Sequence, residues 1–230
     1  MISLLHPTLK RPDRSKVTIE KWLANAGITD FEVIVSLDST DPNLPTYQEI
    51  HKARTIVFME NRNAIQAINL AALNARGDIM IVVSDDTDCP NEWGQKILQA
   101  SRGRTDWIMK VNDGIQRWII TMPVMDRAYY NRFGYIYHPG YHHMFCDTEL
   151  THVADLLKRT IKREELLFPH RHYSVTKQRP DEVSKQADAT WNQGKELYLQ
   201  RVREKFGLKG VDVMSISDAS HYKWLKNNLK

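Results

Sequence analysis

Three observations predict an α/β fold whose sheet is mostly parallel and flanked by helices. Short apolar runs rich in β-branched residues alternate with helix-like segments in the first part of the chain, as in strands joined by crossover helices. Residues 79–83 are apolar without interruption, which is typical of a strand covered on both faces. Each predicted strand here is followed by a polar cluster. In a parallel sheet these clusters would share the edge at which open α/β sheets bind ligands.

The first part of the chain contains four predicted strands, at residues 2–5, 31–37, 55–59 and 79–83. A helix is predicted over residues 17–26, with Val17 on its apolar face and Gly27 as its end. Two prolines and several small polar residues predict a loop at residues 39–46. A second helix, over residues 63–75, would be capped by Asn61 or Asn63.

The second half of the chain is less regular and predicts a smaller elaboration of the sheet. Further predicted strands and a late amphipathic helix are at residues 107–111, 117–121, 166–172 and 189–206. The aromatic and histidine-rich residues 133–143 suit either stacking on a sugar or base, or packing. The basic tail at residues 211–230 suits packing or contact with a second substrate.

Three carboxylates, Asp85, Asp86 and Asp88, follow the fourth predicted strand. Such close anions repel one another unless a cation lies among them, and oxygen ligands suit Mg²⁺ or Mn²⁺. Either Arg11 or Arg62 could neutralise a pyrophosphate at the same edge. The sequence lacks a glycine-rich phosphate loop, so metal and side chains would hold the phosphates. The structural alternative for the carboxylates is an acidic turn or helix cap.

Composition narrows the function classes. A length of 230 residues suits one elaborated domain, and two cysteines cannot form a disulfide framework. The sequence shows neither a membrane-length apolar run nor a signal-like N-terminus, so we expect a soluble, cytoplasmic protein. A net charge of +4 permits an anionic partner without requiring one.

Three segments together carry a family resemblance: residues 7–12, residues 33–41, and residues 61–88, the last ending in Asp86-Thr87-Asp88. They resemble the opening strand and turn, the second strand, and the asparagine helix with DXD metal motif of GT-A glycosyltransferases, particularly the family 2-like enzymes. The resemblance implies a single GT-A, Rossmann-like domain over residues 1–230. Its parts would be a nucleotide-sugar-binding half, an acceptor and catalytic half, and C-terminal helices, at residues 1–93, 94–187 and 188–230.

The resemblance also implies an activity. A divalent ion, Mn²⁺ or Mg²⁺, would assist transfer of a sugar from a nucleoside diphosphate sugar, expected to be a UDP-sugar, to a hydroxyl acceptor with inversion. The acceptor could be a glycan, a small molecule or a hydroxymethylated DNA base. The oligomeric state is left open.

Particular residues follow from the motifs. Asp38, at the end of the second strand, could accept a hydrogen bond from the base or ribose, and Asp147 resembles the general base of inverting enzymes. The expected donor contacts are Pro7, Thr8, Arg11, Asp38, Asn63, Asp85, Asp86 and Asp113. The expected metal ligands are Asp86, Asp88 and a late histidine, which is His170 or His172. The structural alternatives are a helix cap for Asp147 and a surface pair for the histidines.

Two other functions remain open on the sequence. A sugar-phosphate nucleotidyltransferase would have a similar sheet and acidic metal ligands, although residues 6–11 lack its usual glycines. A nucleic-acid-binding module would explain the basic tail, although basic and acidic residues are interspersed along the chain.

Overall fold

A single sheet organises the molecule. The computed structural model describes residues 1–60, 62–216 and 218–229, and within them seven strands pair in the order β3-β2-β1-β4-β6-β5-β7. The strands are β1 (Ile2–Pro7), β2 (Phe31–Asp38), β3 (Thr55–Met59), β4 (Ile79–Val82), β5 (Ile108–Asn112), β6 (Val124–Asp126) and β7 (Thr160–Leu167). Only β6 is antiparallel to its neighbours among these strands. The carboxyl ends of the six others therefore share one edge.

Helices cover both faces of the sheet. They are α1 (Pro12–Ala24), α2 (Leu44–Ile50), α3 (Ala64–Leu73), α4 (Trp93–Ser101), α5 (Arg127–Asn131), α6 (Cys146–Leu156), α7 (Tyr173–Thr176), α8 (Glu182–Ala189), α9 (Trp191–Arg203) and α10 (Ala219–Asn228). One face buries a cluster that includes Ile65 of α3 and Tyr198 of α9. The other face buries Trp22 of α1 and Trp93 of α4. The α/β fold with a mostly parallel sheet is confirmed.

The local predictions succeed where the apolar pattern is regular. The strand β3 has the predicted bounds. The helix α3 begins after Asn63, whose side chain accepts from the Gln66 amide while the Gln66 side chain accepts from the Asn63 amide. The other proposed cap, Asn61, lies outside the described residues. Reciprocal capping satisfies two of the amides that a helix start leaves without partners.

Several local predictions are wrong, including the strand at residues 166–172, because β7 ends at Leu167. The helix α1 begins at Pro12, where proline is favoured in a first turn, and Val17 is 65% exposed on its outer face. The predicted loop at residues 39–46 already contains the start of α2. Residues 117–121 form no strand, and the strand that pairs with β4 and β5 follows Pro123 as β6. None of the described helices is long and apolar enough to cross a membrane.

Candidate active site

The candidate site lies at the carboxyl edge of β1, β2, β4 and β5. Thr8, which follows β1, is buried, and its Oγ1 is 3.2 Å from Asp85 Oδ2 and 3.1 Å from the Tyr47 hydroxyl. The Arg11 amide donates to the same Tyr47 hydroxyl at 2.6 Å. The turn after β1 is therefore held against the carboxylate cluster after β4, as the shared sheet edge predicts.

Asp85 is a buried carboxyl next to an ordered hydrogen-bond chain. Burial raises its pKa to about 7, and its Oδ1 is 3.4 Å from His6 Nε2. The His6 Nδ1 must carry its proton, because it faces the Val83 carbonyl at 2.7 Å; His6 Nε2 then accepts from the Ser15 hydroxyl at 2.8 Å. Burial lowers the pKa of His6 to about 4, so this imidazole supplies no positive charge. A cation bound nearby would favour the ionised form of Asp85.

Asp86 and His170 form the pair most open to a ligand. Asp86 Oδ1 is 3.4 Å from His170 Nε2, and both side chains are partly exposed. Burial favours the neutral form of each side chain, but the hydrogen bond between Asp86 and His170 outweighs this effect. As a result the pKa of Asp86 is lowered and the pKa of His170 is raised. The Arg171 amide donates to the Asp86 carbonyl and the His170 amide donates to the Asp113 carbonyl. Backbone bonds therefore fix this imidazole between the ends of β4 and β5.

Asp88 has different partners. Its carboxylate pairs with Lys21 at 2.5 Å and with Arg171 at 2.5 Å. Burial opposes ionisation, but the hydrogen bond from Lys21, with that from Arg171, lowers the pKa of Asp88. Among the described residues no three histidine, cysteine or acidic side chains converge as ligands for one metal ion. The predicted metal set is thus brought together only at Asp86 and His170.

His172 lies beside this pair but serves α7. The rings of His170 and His172 are 5.4 Å apart. His172 is the N-cap of α7, and its Nδ1 is 2.8 Å from Ser174 Oγ. Its role as a metal ligand stays a prediction.

Asp147 lies in the first turn of α6. Phe145 is the N-cap of this helix, in a left-handed conformation, so Asp147 is not the cap that the structural alternative supposed. Its Oδ1 accepts from the Thr148 amide at 2.7 Å. Burial raises the pKa of Asp147, and Asp113 adds to the shift. A carboxylate with a raised pKa is a stronger base at neutral pH.

Asp113 and Asp38 each hold a turn. Asp113 accepts from the amides of residues 115 and 116 and from the Thr121 hydroxyl. Asp38 accepts from the Thr40 amide at 2.9 Å and from the Arg62 amide at 3.1 Å. Both carboxylates are buried at the sheet edge. Their contacts with the nucleotide-sugar donor stay predictions. In the structure the carboxylate oxygens already accept hydrogen bonds from these turns.

The two arginines at this edge have protein partners. Arg62 is buried and donates to the carbonyls of Thr8 and Ser36, and burial lowers its pKa to about 10. Arg11 is paired with Asp181 through two hydrogen bonds, at 2.8 and 2.5 Å. Asp181 precedes α8 and was not predicted as a site residue. Its separation from Arg11 by 170 positions explains why local sequence patterns did not reveal it.

Comparison with known proteins identifies the family. The family model of glycosyl transferase family 2 matches residues 3–182. The chain belongs to this family. A search of curated proteins found no match to the sequence. Family membership disfavours the nucleotidyltransferase and nucleic-acid-binding alternatives.

Solved structures share the GT-A fold. S. aureus TarS 1-349 in complex with UDP-GlcNAc is 15% identical, with a TM-score of 0.68 over 99% of this chain and 71% of that chain. Mannosyltransferase PcManGT from Pyrobaculum calidifontis, in complex with GDP-Man and Mn²⁺, is 14% identical, with a TM-score of 0.57 over 74% of this chain and 56% of that chain. The match to a longer structure of S. aureus TarS covers 42% of the TarS chain. The family 2 chain therefore spans between 42% and 71% of the length of these neighbours.

Proposed function

We propose that this glycosyltransferase uses a divalent ion to transfer a sugar from a UDP-sugar to a hydroxyl acceptor with inversion. The observation that carries the proposal is the pairing of Asp86 with His170 at 3.4 Å. This pair lies at the same carboxyl edge of the sheet as the buried Asp85. Carboxylate oxygen and imidazole nitrogen suit Mn²⁺ or Mg²⁺. Mg²⁺ is usually held by one or two carboxylates together with substrate phosphates, so two protein ligands fit such a site.

The protein side chains would divide the remaining work. When bound, the ion would supply positive charge for the leaving pyrophosphate. Asp86 and His170 would hold that ion, and Asp38 would orient the nucleoside. Asp147 would take the proton of the acceptor hydroxyl as attack proceeds, which requires a base within hydrogen-bond reach. This base, placed opposite the leaving group, would give inversion.

The donor and acceptor differ in how much supports them. The similarity to TarS with UDP-GlcNAc extends over 99% of the chain, which favours a UDP-sugar over the GDP-sugar bound by PcManGT. The acceptor is a hydroxyl of a glycan, a small molecule or a modified DNA base. Both cysteines are free thiols, in support of a reducing, cytoplasmic location.

A donor screen tests the proposal. Thermal unfolding would be followed with UDP-, GDP- and TDP-sugars, each with Mn²⁺ and with EDTA. A ligand that binds only the folded protein raises the melting temperature by mass action. We expect the largest rise with a UDP-sugar and Mn²⁺, and its loss in EDTA. An equal rise with and without metal would contradict metal dependence, and a preference for GDP-sugars would contradict the donor assignment.

A further inference from the structure

The structure contains a polar cavity whose lining includes neither Asp86 nor His170. Its volume is about 190 Å³, on the order of ten times the space that one water needs. Strands β5 and β7, helices α6 and α10 and the segment after β5 supply its walls. Its lining includes Lys110, Arg117, Trp118, Asp155, Lys162 and His221.

Lys110 is the unusual member of this lining. The residue is only 4% exposed, yet its ammonium has no hydrogen bond or ion pair with any residue that the structure describes. The stem of the side chain is thus buried, while its charged end lines the cavity. Lys162 lies in register with Lys110 on the adjacent strand β7, and like charges placed opposite one another are unfavourable. Neither lysine makes a direct ion pair with a residue that the structure describes, although three carboxylates line the same cavity.

The nearby acidic groups already have partners or lie at the rim. Asp155 accepts from the Thr160 hydroxyl at 2.7 Å, and Asp218 caps α10 by accepting from the His221 amide at 2.7 Å. Glu164 is an exposed residue. Arg117 is also exposed and, like Lys110, makes no ion pair within the described ranges. The unpaired positive charge is thus directed at the cavity.

The rest of the wall is aromatic and ordered. Trp118 packs on His221 with ring centroids 4.1 Å apart. The Tyr198 hydroxyl lies 2.8 Å from His221 Nε2 and 2.8 Å from His152 Nδ1. Because His152 Nε2 faces the Val213 carbonyl, its Nδ1 must accept from Tyr198. Both imidazoles are therefore fixed in orientation, and Trp118 lines the same cavity as Lys110 and Arg117.

We infer that this cavity binds a phosphorylated sugar, with the phosphoryl group at Lys110 and the sugar ring against Trp118. Lysine and arginine are the usual partners of phosphate. A tryptophan face suits the apolar side of a sugar ring, and Asp155 and Asp218 can accept from its hydroxyls. The ligand is either the acceptor itself or a free metabolite that regulates the enzyme. The inference rests on the unpartnered Lys110 ammonium at the cavity and holds whatever donor the enzyme uses.

Equilibrium dialysis tests this site in EDTA and without nucleotide, so that metal-dependent donor binding does not contribute. The probes are inorganic phosphate and glucose 6-phosphate. The variants are Lys110→Met, Trp118→Ala and, as an exposed control outside the cavity, Lys209→Met. We expect saturable binding of both probes to the wild type, a loss of about tenfold or more in Lys110→Met, and no change in Lys209→Met. Trp118→Ala should weaken glucose 6-phosphate but spare inorganic phosphate.

Other outcomes would overturn the inference. Absence of saturable binding to the wild type would do so, as would unchanged binding in Lys110→Met. Because Lys110→Met removes no ion pair and keeps an apolar stem, the variant should keep the melting temperature of the wild type. If Lys110→Met does not fold, the Trp118→Ala measurement decides. Incubation of bound glucose 6-phosphate with donor and Mn²⁺ separates the two sources: a mass increase marks an acceptor, and an unmodified ligand marks a regulator.

Discussion

Arg11 of the turn after β1 donates two hydrogen bonds to Asp181, the residue that caps α8. The interaction lowers the pKa of Asp181 well below its usual range. Lys10 makes a parallel contact with Glu182 at 2.9 Å. The sequence predicts that Arg11 contacts the donor pyrophosphate. A pyrophosphate contact through the same guanidinium nitrogens would require Arg11 to leave Asp181, so α8 and the donor would compete for Arg11.

Asp181→Asn should therefore strengthen donor binding. Asparagine keeps the capping oxygen that accepts from the Ser184 amide but removes the charge that holds Arg11. A partly exposed ion pair is worth about 0.2–1 kcal/mol, so the donor Kd should fall by roughly two- to fivefold. Calorimetric titration with UDP measures the change. Glu182→Gln, on the same helix, is the matched control and should leave the Kd unchanged; a weaker affinity in Asp181→Asn would contradict the competition.

Asp38→Ala should weaken UDP and UDP-sugar binding alike, since it removes a contact present before and after chemistry. The variant also loses the turn bonds to Thr40 and Arg62, which lowers stability. Asp41→Ala controls for this effect, because Asp41 lies in the same loop and is equally buried. Its carboxylate accepts from the Lys10 and Asn43 amides. Both variants should have a lower melting temperature than the wild type. Asp38→Ala should also bind UDP much more weakly than Asp41→Ala does. Equal affinity losses in the two variants would assign Asp38 a structural role.

Asp147→Asn should reduce turnover and leave donor affinity intact. Asparagine matches the size of the side chain but cannot take the acceptor proton, and the base acts only as the new bond forms. The loss expected for a general base is about 10²–10⁴-fold in kcat. Glu149→Gln is the control in the same helical turn, since Glu149 pairs with Arg201 at 2.9 Å; it should lower stability more than kcat. Full turnover in Asp147→Asn, or a product that retains the donor configuration, would contradict the inverting mechanism.

The sheet and its binding edge were predictable because they depend on local patterns. The apolar run before Asp85 and the cap at Asn63 are encoded within a few residues, and the structure has both. The pairing of Asp88 with Lys21 and Arg171 joins three distant segments, so spacing alone could not distinguish Asp88 from Asp86. The same holds for the partner of Arg11. The sequence prediction was incomplete at these tertiary ion pairs and at the strands β6 and β7 of the less regular second half.

Asp85 predicts a pH-dependent stability. Its pKa is raised to about 7 by burial, so the native protein keeps a proton that the unfolded chain releases between about pH 4 and pH 7. Stability contributed by this carboxyl is therefore lost as pH rises through that window. The free energy of unfolding of Asp85→Asn, minus that of the wild type, should increase from pH 5 to pH 8 by on the order of 2 kcal/mol. Urea unfolding at several pH values measures this difference.

The unfolding free energies of Asp85→Asn and the wild type must be subtracted, because buried histidines change stability with pH in the opposite direction. Burial lowers the pKa of His6, His152 and His221 to about 4 and that of His51 to about 3. These histidines stay neutral in the native protein at pH values where they are protonated in the unfolded chain. Stability therefore falls as pH drops below about 6.5. Both proteins share these histidines. A difference that stays constant with pH would contradict the raised pKa of Asp85.

The most direct test of the account measures Mn²⁺-dependent binding of UDP-sugar to Asp86→Asn, His170→Gln and Asp88→Asn. If Asp86 and His170 hold the ion, the first two variants should bind the donor at least about tenfold more weakly in Mn²⁺ and show little difference between Mn²⁺ and EDTA. Asp88→Asn should keep its metal dependence, because that carboxylate is already neutralised by Lys21 and Arg171. Wild-type metal dependence in Asp86→Asn would contradict the proposed site.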